Sequence, residues 1–466
     1  MGGDLGKRVW FTLGALLVYR LGTYLPIPGL ALTGHLHLCS IPGTIYEHCD
    51  RMPYGLPGLF DALTGGALGR ISIFALSVLP YLAAAAVMLL AAAAWPALRA
   101  LAEDGGTGPR KVQQYTRYLT VLLSALQAYG LALVIEDLRG FWGFSLVSEP
   151  GPLFRLTTVL TLTAGSLFVT CLAEQISRRG IGNGVLLILF CGLAVHLPTD
   201  LRNLAEASRT GVLSSGAIVG FLLALAGAVA FIVFMERAQR RVIVQYPKRQ
   251  VGSKMFGGES SHLPLKLNSA GVIPPIFASS LLLMPLTVAG FSGGGGPDWL
   301  TQLTALLGHG QPLYLAIYMA MIVFFCFFYT SIVFNPADTA DNLKKHGGFI
   351  PGIRPGANTA EYLNYLQVRL TVVGSAYLAL VCLLPELLIA EYAVPFYFGG
   401  TSLLIVTWVI LDLTECLRAQ LRPPPGGPPD DLSGAVGVRV AAGGSTRVTE
   451  VVGSQSSVIE ESSAST

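Results

Sequence analysis

Residues able to do chemistry are few in this chain. Cys39 and Cys49 stand close to His35, His37 and His48. Thiols and imidazoles in one segment suit a disulfide in an oxidising compartment, a bound metal, or unpaired side chains, and unpaired is the default where no ligand-spaced motif is present. The other cysteines, Cys171, Cys191, Cys326, Cys382 and Cys416, sit in or beside apolar runs and read as packing residues. No stretch reads G-x-x-x-x-G-K-[ST], none places G-x-G-x-x-G between a strand and a helix, and none reads H-E-x-x-H. We therefore expect no intrinsic enzymatic activity, no cofactor and no metal. Any work done by the chain would draw on a partner's ATP hydrolysis, on translation or on the membrane potential.

Glu174, Glu236 and Asp412 lie near the ends of apolar runs. Ion-coupled carriers place ionisable groups near the bilayer midplane, whereas acids at run ends suit anchoring and loop contacts. A secondary transporter built from inverted repeats is the main alternative to the reading developed below, and a membrane scaffold without a pore is another.

The elements that position these groups are bilayer spans. Of the 466 residues, 52% are hydrophobic and 12% charged, about half the charged fraction of an ordinary globular chain. A hydrocarbon core of roughly 30 Å needs about 20 apolar residues per helix. Ten runs qualify or nearly do: Val9 to Leu25, Ile71 to Trp95, Tyr118 to Val134, Leu156 to Leu172, Val185 to Leu197, Leu213 to Met235, Ala270 to Ala289, Leu313 to Phe334, Leu370 to Leu388, and Pro395 to Cys416. The first follows Lys7 and Arg8 but leads into Arg20 and Pro26-Ile27-Pro28 rather than a small-residue cleavage site, so it reads as a retained helix. Arg20 is expected to reach the interface or to pair inside the bundle.

If the N-terminus is cytoplasmic and spans alternate, the external loops hold only Arg51, Arg70, Arg139, Arg155, Arg202 and Arg209, and the remaining loop lysines and arginines are cytoplasmic. The positive-inside rule supports that orientation, with both termini cytoplasmic. Two cytoplasmic connections, 236–267 and 335–367, are long and basic. Gly347-Gly348 and Pro351-Gly352-Ile353-Arg354-Pro355-Gly356 predict a rigid protruding surface in the second. The tail, 422–466, opens with a proline- and glycine-rich stretch and ends rich in Ser, Thr, Gly and Glu, a composition that predicts disorder.

Several segments are specific. Tyr19-Arg20-Leu21-Gly22-Thr23-Tyr24-Leu25-Pro26-Ile27-Pro28-Gly29, Gly65-Gly66-Ala67-Leu68, Arg179-Gly180-Ile181-Gly182-Asn183-Gly184, His262-Leu263-Pro264-Leu265-Lys266, Phe334-Asn335-Pro336, Pro351 to Gly356, and Pro395-Phe396-Tyr397-Phe398-Gly399-Gly400 occur in that order. In these segments the chain resembles the SecY family, the channel-forming subunits of bacterial Sec translocases, from about residue 5 to residue 420.

The resemblance implies an all-α polytopic membrane protein of about ten transmembrane helices in two inverted five-helix halves, 1–198 and 199–421, around a central pore. The implied function is a protein-conducting channel that passes unfolded secretory polypeptides across, and releases membrane proteins laterally into, the bacterial plasma membrane. A narrow ring of aliphatic side chains suits that task, because it yields to a passing chain and can exclude ions by dewetting. Matching family positions are Val78 and Leu82 on the second span, Val185 and Leu189 on the fifth, Ile276 on the seventh and Ile405 on the tenth. The first two pairs have i,i+4 spacing, which aligns each pair on one helix face.

Residues 57–69, with Phe60, Leu63, Gly65, Gly66 and Leu68, correspond to a plug on the outer side of the pore. By residue pattern alone they also suit an interfacial helix leading into the second span. A lateral gate is implied between spans two and three on one side and seven and eight on the other, with Gln127 and Asn268 as candidate polar members. Pro274-Pro275 permits a kink near the start of the seventh span. The resemblance also implies SecE and SecG as partner subunits and the SecA motor or a ribosome as cytoplasmic partners. Arg240, Arg241, Lys248, Arg249, Lys254 and Arg354 would face them.

Overall fold

The computed structural model describes residues 2–30, 61, 63–103, 108–137, 147–209, 215–246, 249–251, 254–256, 260–290, 312–392 and 400–421. The segment holding Cys39 and Cys49, together with Phe60, Lys248 and the tail 422–466, lies outside the described residues. The helices are α1 (Gly2–Gly22), α2 (Leu79–Ala94), α3 (Pro96–Glu103), α4 (Gly108–Asp137), α5 (Pro152–Arg179), α6 (Gly184–Arg209), α7 (Ser215–Arg237), α8 (Ile273–Gly290), α9 (Pro312–Val333), α10 (Pro336–Lys345), α11 (Ala357–Tyr392) and α12 (Gly400–Leu421). Strands β1 (Gln239–Gln245), β2 (Arg249–Val251), β3 (Lys254–Phe256) and β4 (Ser260–Lys266) fall between α7 and α8.

Each of the ten apolar runs coincides with one helix. Among the described residues, the stretches Pro152–Arg179, Leu313–Lys345, Ala357–Pro385 and Gly400–Arg418 are long and apolar enough to cross a bilayer, and Leu79–Ala94, Gly184–Pro198 and Ile273–Leu282 are shorter apolar helices. Trp10, Leu17, Leu153, Leu160, Leu223 and Phe234 point out of the bundle, an arrangement that costs little only where lipid replaces water. The fold is that of an all-α polytopic membrane protein.

Several boundaries differ from the sequence reading: α4 begins at Gly108 rather than Tyr118, and α6 runs on to Arg209, past the predicted Leu197. The second apolar run begins at Ile71, but its helix begins at Leu79, because residues 65–78 form a succession of turns with positive φ at Ile71 and Ser77. Pro80 then lies in the first helical turn, where its missing N–H costs nothing. Helix α11, the ninth apolar run, starts at Ala357, well before the predicted Leu370.

The helices pack in two groups. In one, α1 lies against α5 and α6, α2 against α4, α4 against α5, and α5 against α6. In the other, α7 and α12 lie against each other, α11 packs on α7, α9 and α12, and α8 packs on α9. The groups meet where α8 crosses α2 and α4, and where α12 lies against α6.

Two basic connections that are far apart in sequence form one body. Strands β1 and β4 pair antiparallel from Gln239–Lys266 to Gln245–Ser260, with β2 and β3 paired beyond them. Alternation along β1 turns Val242 and Val244 inward and leaves Arg240, Arg241 and Ile243 exposed. Gln245 exchanges two backbone hydrogen bonds with Phe349, at 2.9 and 3.0 Å. Val242 and Leu265 share a small core with Ile350, Leu363 and Leu366. Helix α10 is capped by Asn335, whose side-chain oxygen accepts from the Ala337 amide at 3.1 Å, and Lys344 and Lys345 complement its C-terminal dipole.

Candidate functional site

The six aliphatic candidates lie on the four helices that form the two seams, α2 with α8 and α6 with α12. Val78 is the N-cap residue of α2 rather than an interior position, at φ −91° and ψ 1°. Its carbonyl accepts the Leu82 amide at 3.1 Å, so the two side chains still stand one turn apart. On α6, the Asn183 side chain accepts the Val185 amide at 3.1 Å and Ser177 Oγ accepts that of Gly184 at 2.8 Å. These bonds fix Val185 in the first turn, with Leu189 a turn further on.

Ile276 lies in the first turn of α8, and the hydroxyls of Ser279 and Ser280 both donate to its carbonyl, at 3.0 and 2.7 Å. Such back-bonding competes with the helical ladder and favours bending at this point. Ile405 is on α12 and fully buried. Val78, Leu82, Val185, Leu189, Ile276 and Ile405 all belong to one contiguous apolar cluster.

The plug candidate sits on this cluster. Leu63 is buried within it, and Leu68 packs against it. Gly65 and Gly66 have φ of +73° and +77°, where glycine alone is unstrained. Gly65 also passes so close to α6 that a Cβ there would come within 3.0 Å of the Gly192 Cα.

Polar bonds hold the segment from three directions. Tyr19 donates its hydroxyl to the Thr64 carbonyl at 3.0 Å. Arg20 Nη1 and Arg70 Nη2 both donate to the Gly65 carbonyl, at 2.8 and 2.6 Å. Asp61 accepts the Gly69 amide at 2.8 Å, closing the turn. The Tyr24 ring lies 4.8 Å from the Arg20 guanidinium carbon and 4.4 Å from that of Arg70, a cation–π geometry that steadies both. Arg20 therefore reaches a partner inside the bundle. The role of Arg70 was not apparent from sequence, its one visible signal being a cation immediately before an apolar run.

The candidate gate helices are in contact, since α8 packs against both α2 and α4. Gln127 is buried on α4 and its side-chain oxygen has no hydrogen-bond partner. Asn268 precedes α8 and bonds instead to Glu236 and Gly271. Among the described residues no hydrogen bond joins the two. Glu174 is held by Arg117 and by Gln113 at 3.3 Å, which ties α4 to α5. Of the basic partner-binding candidates, Arg240, Arg241 and Arg354 are exposed on the body formed by the two connections, while Arg249 and Lys254 occupy strands β2 and β3.

The family model described as SecY matches residues 72–414. Protein translocase subunit SecY of Rickettsia conorii (strain ATCC VR-613 / Malish 7) is 46% identical over 427 residues, covering 90% of this chain and 94% of the relative. Its counterpart in Escherichia coli (strain K12) is 46% identical over 413 residues, covering 88% and 90%. A solved structure described as that of a protein conducting channel superposes with a TM-score of 0.65 at 16% identity, over 90% of this chain and 93% of the other. Sec61 in the canine ribosome-channel complex from the endoplasmic reticulum gives 0.62 at 15% identity, with the same coverage. At such identities the solved structures speak for the fold, while the family model and the bacterial relatives extend over most of the sequence, and on that ground the chain belongs to the SecY family.

Proposed function

We propose that this chain forms a protein-conducting translocation channel that passes unfolded secretory polypeptides across the plasma membrane and releases membrane proteins sideways into it. The observation that carries the reading is that the six aliphatic side chains at the matching family positions lie on the helices of the two seams, α2 with α8 and α6 with α12, and are all buried in the apolar core that also takes in Leu63. Such a ring seals by shape and dewetting, opens without breaking polar bonds, and is indifferent to the sequence of the passing chain. In this reading residues 57–69 are the plug, and the seam of α8 with α2 and α4 is the lateral gate. Residues 1–198 and 199–421 are the two halves that separate there.

The ribbon β1–β4 and the segment around Arg354 form the cytoplasmic docking surface, where SecA or a ribosome would deliver the work that the chain does not supply. Both termini are cytoplasmic, and SecE and SecG complete the assembly. The test is a single cysteine at position 276 in an otherwise cysteine-free variant, crosslinked to a stalled secretory chain in membranes beside a lipid-facing control at Leu160. Crosslinking at 276 alone supports the reading. No crosslink from an inserted protein with an engaged chain removes the pore assignment and brings a carrier or scaffold forward.

A further inference from the structure

Glu236 is the penultimate residue of the apolar helix α7, and nothing in the ring or plug uses it. Its Oε1 accepts the Asn268 side-chain amide at 2.7 Å, a charge-assisted bond. Asn268 is otherwise committed to a single turn. Its Nδ2 donates to the Gly271 carbonyl at 3.1 Å, and its Oδ1 accepts the Gly271 amide at 3.1 Å. Gly271 holds φ +65°, and a Cβ there would come within 3.3 Å of Trp408 Nε1 on α12.

The neighbouring residues are clamped as well. The Leu267 amide donates to the Ala238 carbonyl at 3.0 Å, closing the base of the ribbon. Gly374 of α11 lies so close that a Cβ there would meet the Leu267 carbonyl at 2.8 Å, and Gln367 of α11 donates to Ser269 Oγ at 3.0 Å. Besides Asn268, Lys266 and Tyr377 lie beside the carboxylate, with Glu415 of α12 as a like charge.

Residues 267–271 therefore form a short linker fixed at one end to the ribbon and at the other to the first turn of α8, which carries Ile276. We infer that Glu236 and Asn268 are positioning residues of the gate: their bond holds the start of α8 in its closed setting and relays displacement of the ribbon to the ring at Ile276. This rests on the channel reading above. A covalently continuous, hydrogen-bonded base transmits motion because its turn has one arrangement while the bond is intact, and releasing the bond frees Gly271 to pivot.

The experiment compares E236A, N268A and E236Q in the assembled complex, with two readouts: export of a reporter bearing a defective signal sequence, and thermal stability. The amide oxygen of Gln still accepts from Asn268, so E236Q preserves the bond. The expected result is a rise in defective-signal export of about tenfold in E236A and N268A, the shift produced by losing one such bond, with near-parental behaviour in E236Q. A purely structural role would lower stability in E236A and N268A without relaxing signal discrimination. The inference is overturned if E236A accumulates normally and gains no export, or if E236Q gains as much as E236A. Should E236A not accumulate, N268A decides by the same comparison. Crosslinking through position 276 in the parent is run alongside: its absence removes the channel reading itself, whereas its presence with a silent E236A removes only the positioning role.

Discussion

The two arginines on the Gly65 carbonyl give the sharpest quantitative expectation. Arg20 and Arg70 come from α1 and from the turns before α2, and donate at 2.8 and 2.6 Å to the same oxygen. A hydrogen bond from a charged donor contributes about 1.5–3 kcal/mol, and because both side chains are only partly buried the lower figure of about 1.5 kcal/mol applies to each. Replacing Arg70 by Ala leaves the carbonyl its bond to Arg20, so the closed state loses about 1.5 kcal/mol and plug-open conformations rise about tenfold. Replacing both leaves a largely enclosed carbonyl without a partner, and the rise becomes about a hundredfold or more.

The assay is open probability in planar bilayers, using the assembled complex without motor or ribosome. Arg155→Ala serves as control, since Arg155 pairs with Glu136 at 2.7 Å rather than with the plug. An R20A/R70A channel as tightly closed as the parent would refute the reasoning. So would an equal rise in the control, which would mark the effect as general loosening.

Three further outcomes are expected. Ile405→Asn places a polar amide at a fully buried position proposed for the ring, which should raise ion leak through the resting channel while leaving helix content unchanged, as conductance and circular dichroism would report. Gly165→Ala sets a Cβ 2.0 Å from the Ile73 carbonyl oxygen, whereas Gly220 has nothing within 4 Å. Thermal unfolding in detergent should therefore show G165A losing about 3 kcal/mol, the upper end of overpacking, and G220A holding or gaining stability. Arg354→Glu on the exposed face of the proposed docking surface should depress motor-driven transport at unchanged melting temperature; a parallel fall in both would place Arg354 in folding instead.

What the sequence by itself determined is the part of the structure governed by local composition. Ten apolar runs of near-spanning length yielded ten helices, since a backbone in hydrocarbon must satisfy its own N–H and C=O groups. The i,i+4 spacing of Val185 and Leu189 placed them on one face because helical geometry leaves no other outcome. The glycines at 65 and 66 signalled an irregular segment, and both adopt the positive φ that only glycine holds without strain.

Tertiary structure decided everything that depends on partners distant in the chain. That α8 lies against α2 and α4, burying Ile276 in the same core as Val78, follows from side-chain packing between elements more than a hundred residues apart. The bond from Arg70 to Gly65 could not be read from sequence because its acceptor is a backbone carbonyl, which has no sequence signature. The fusion of residues 239–266 with 349–366 into one small core rests on Val242 and Leu265 meeting Ile350, Leu363 and Leu366, and neither segment alone shows that it meets the other. The same holds for Glu236, which looked like an acid at a helix end until the ribbon folded back and set Asn268 against it at 2.7 Å. Local periodicity encodes which face of an element is apolar, but which other face it meets is settled only when the whole set of surfaces competes to be buried.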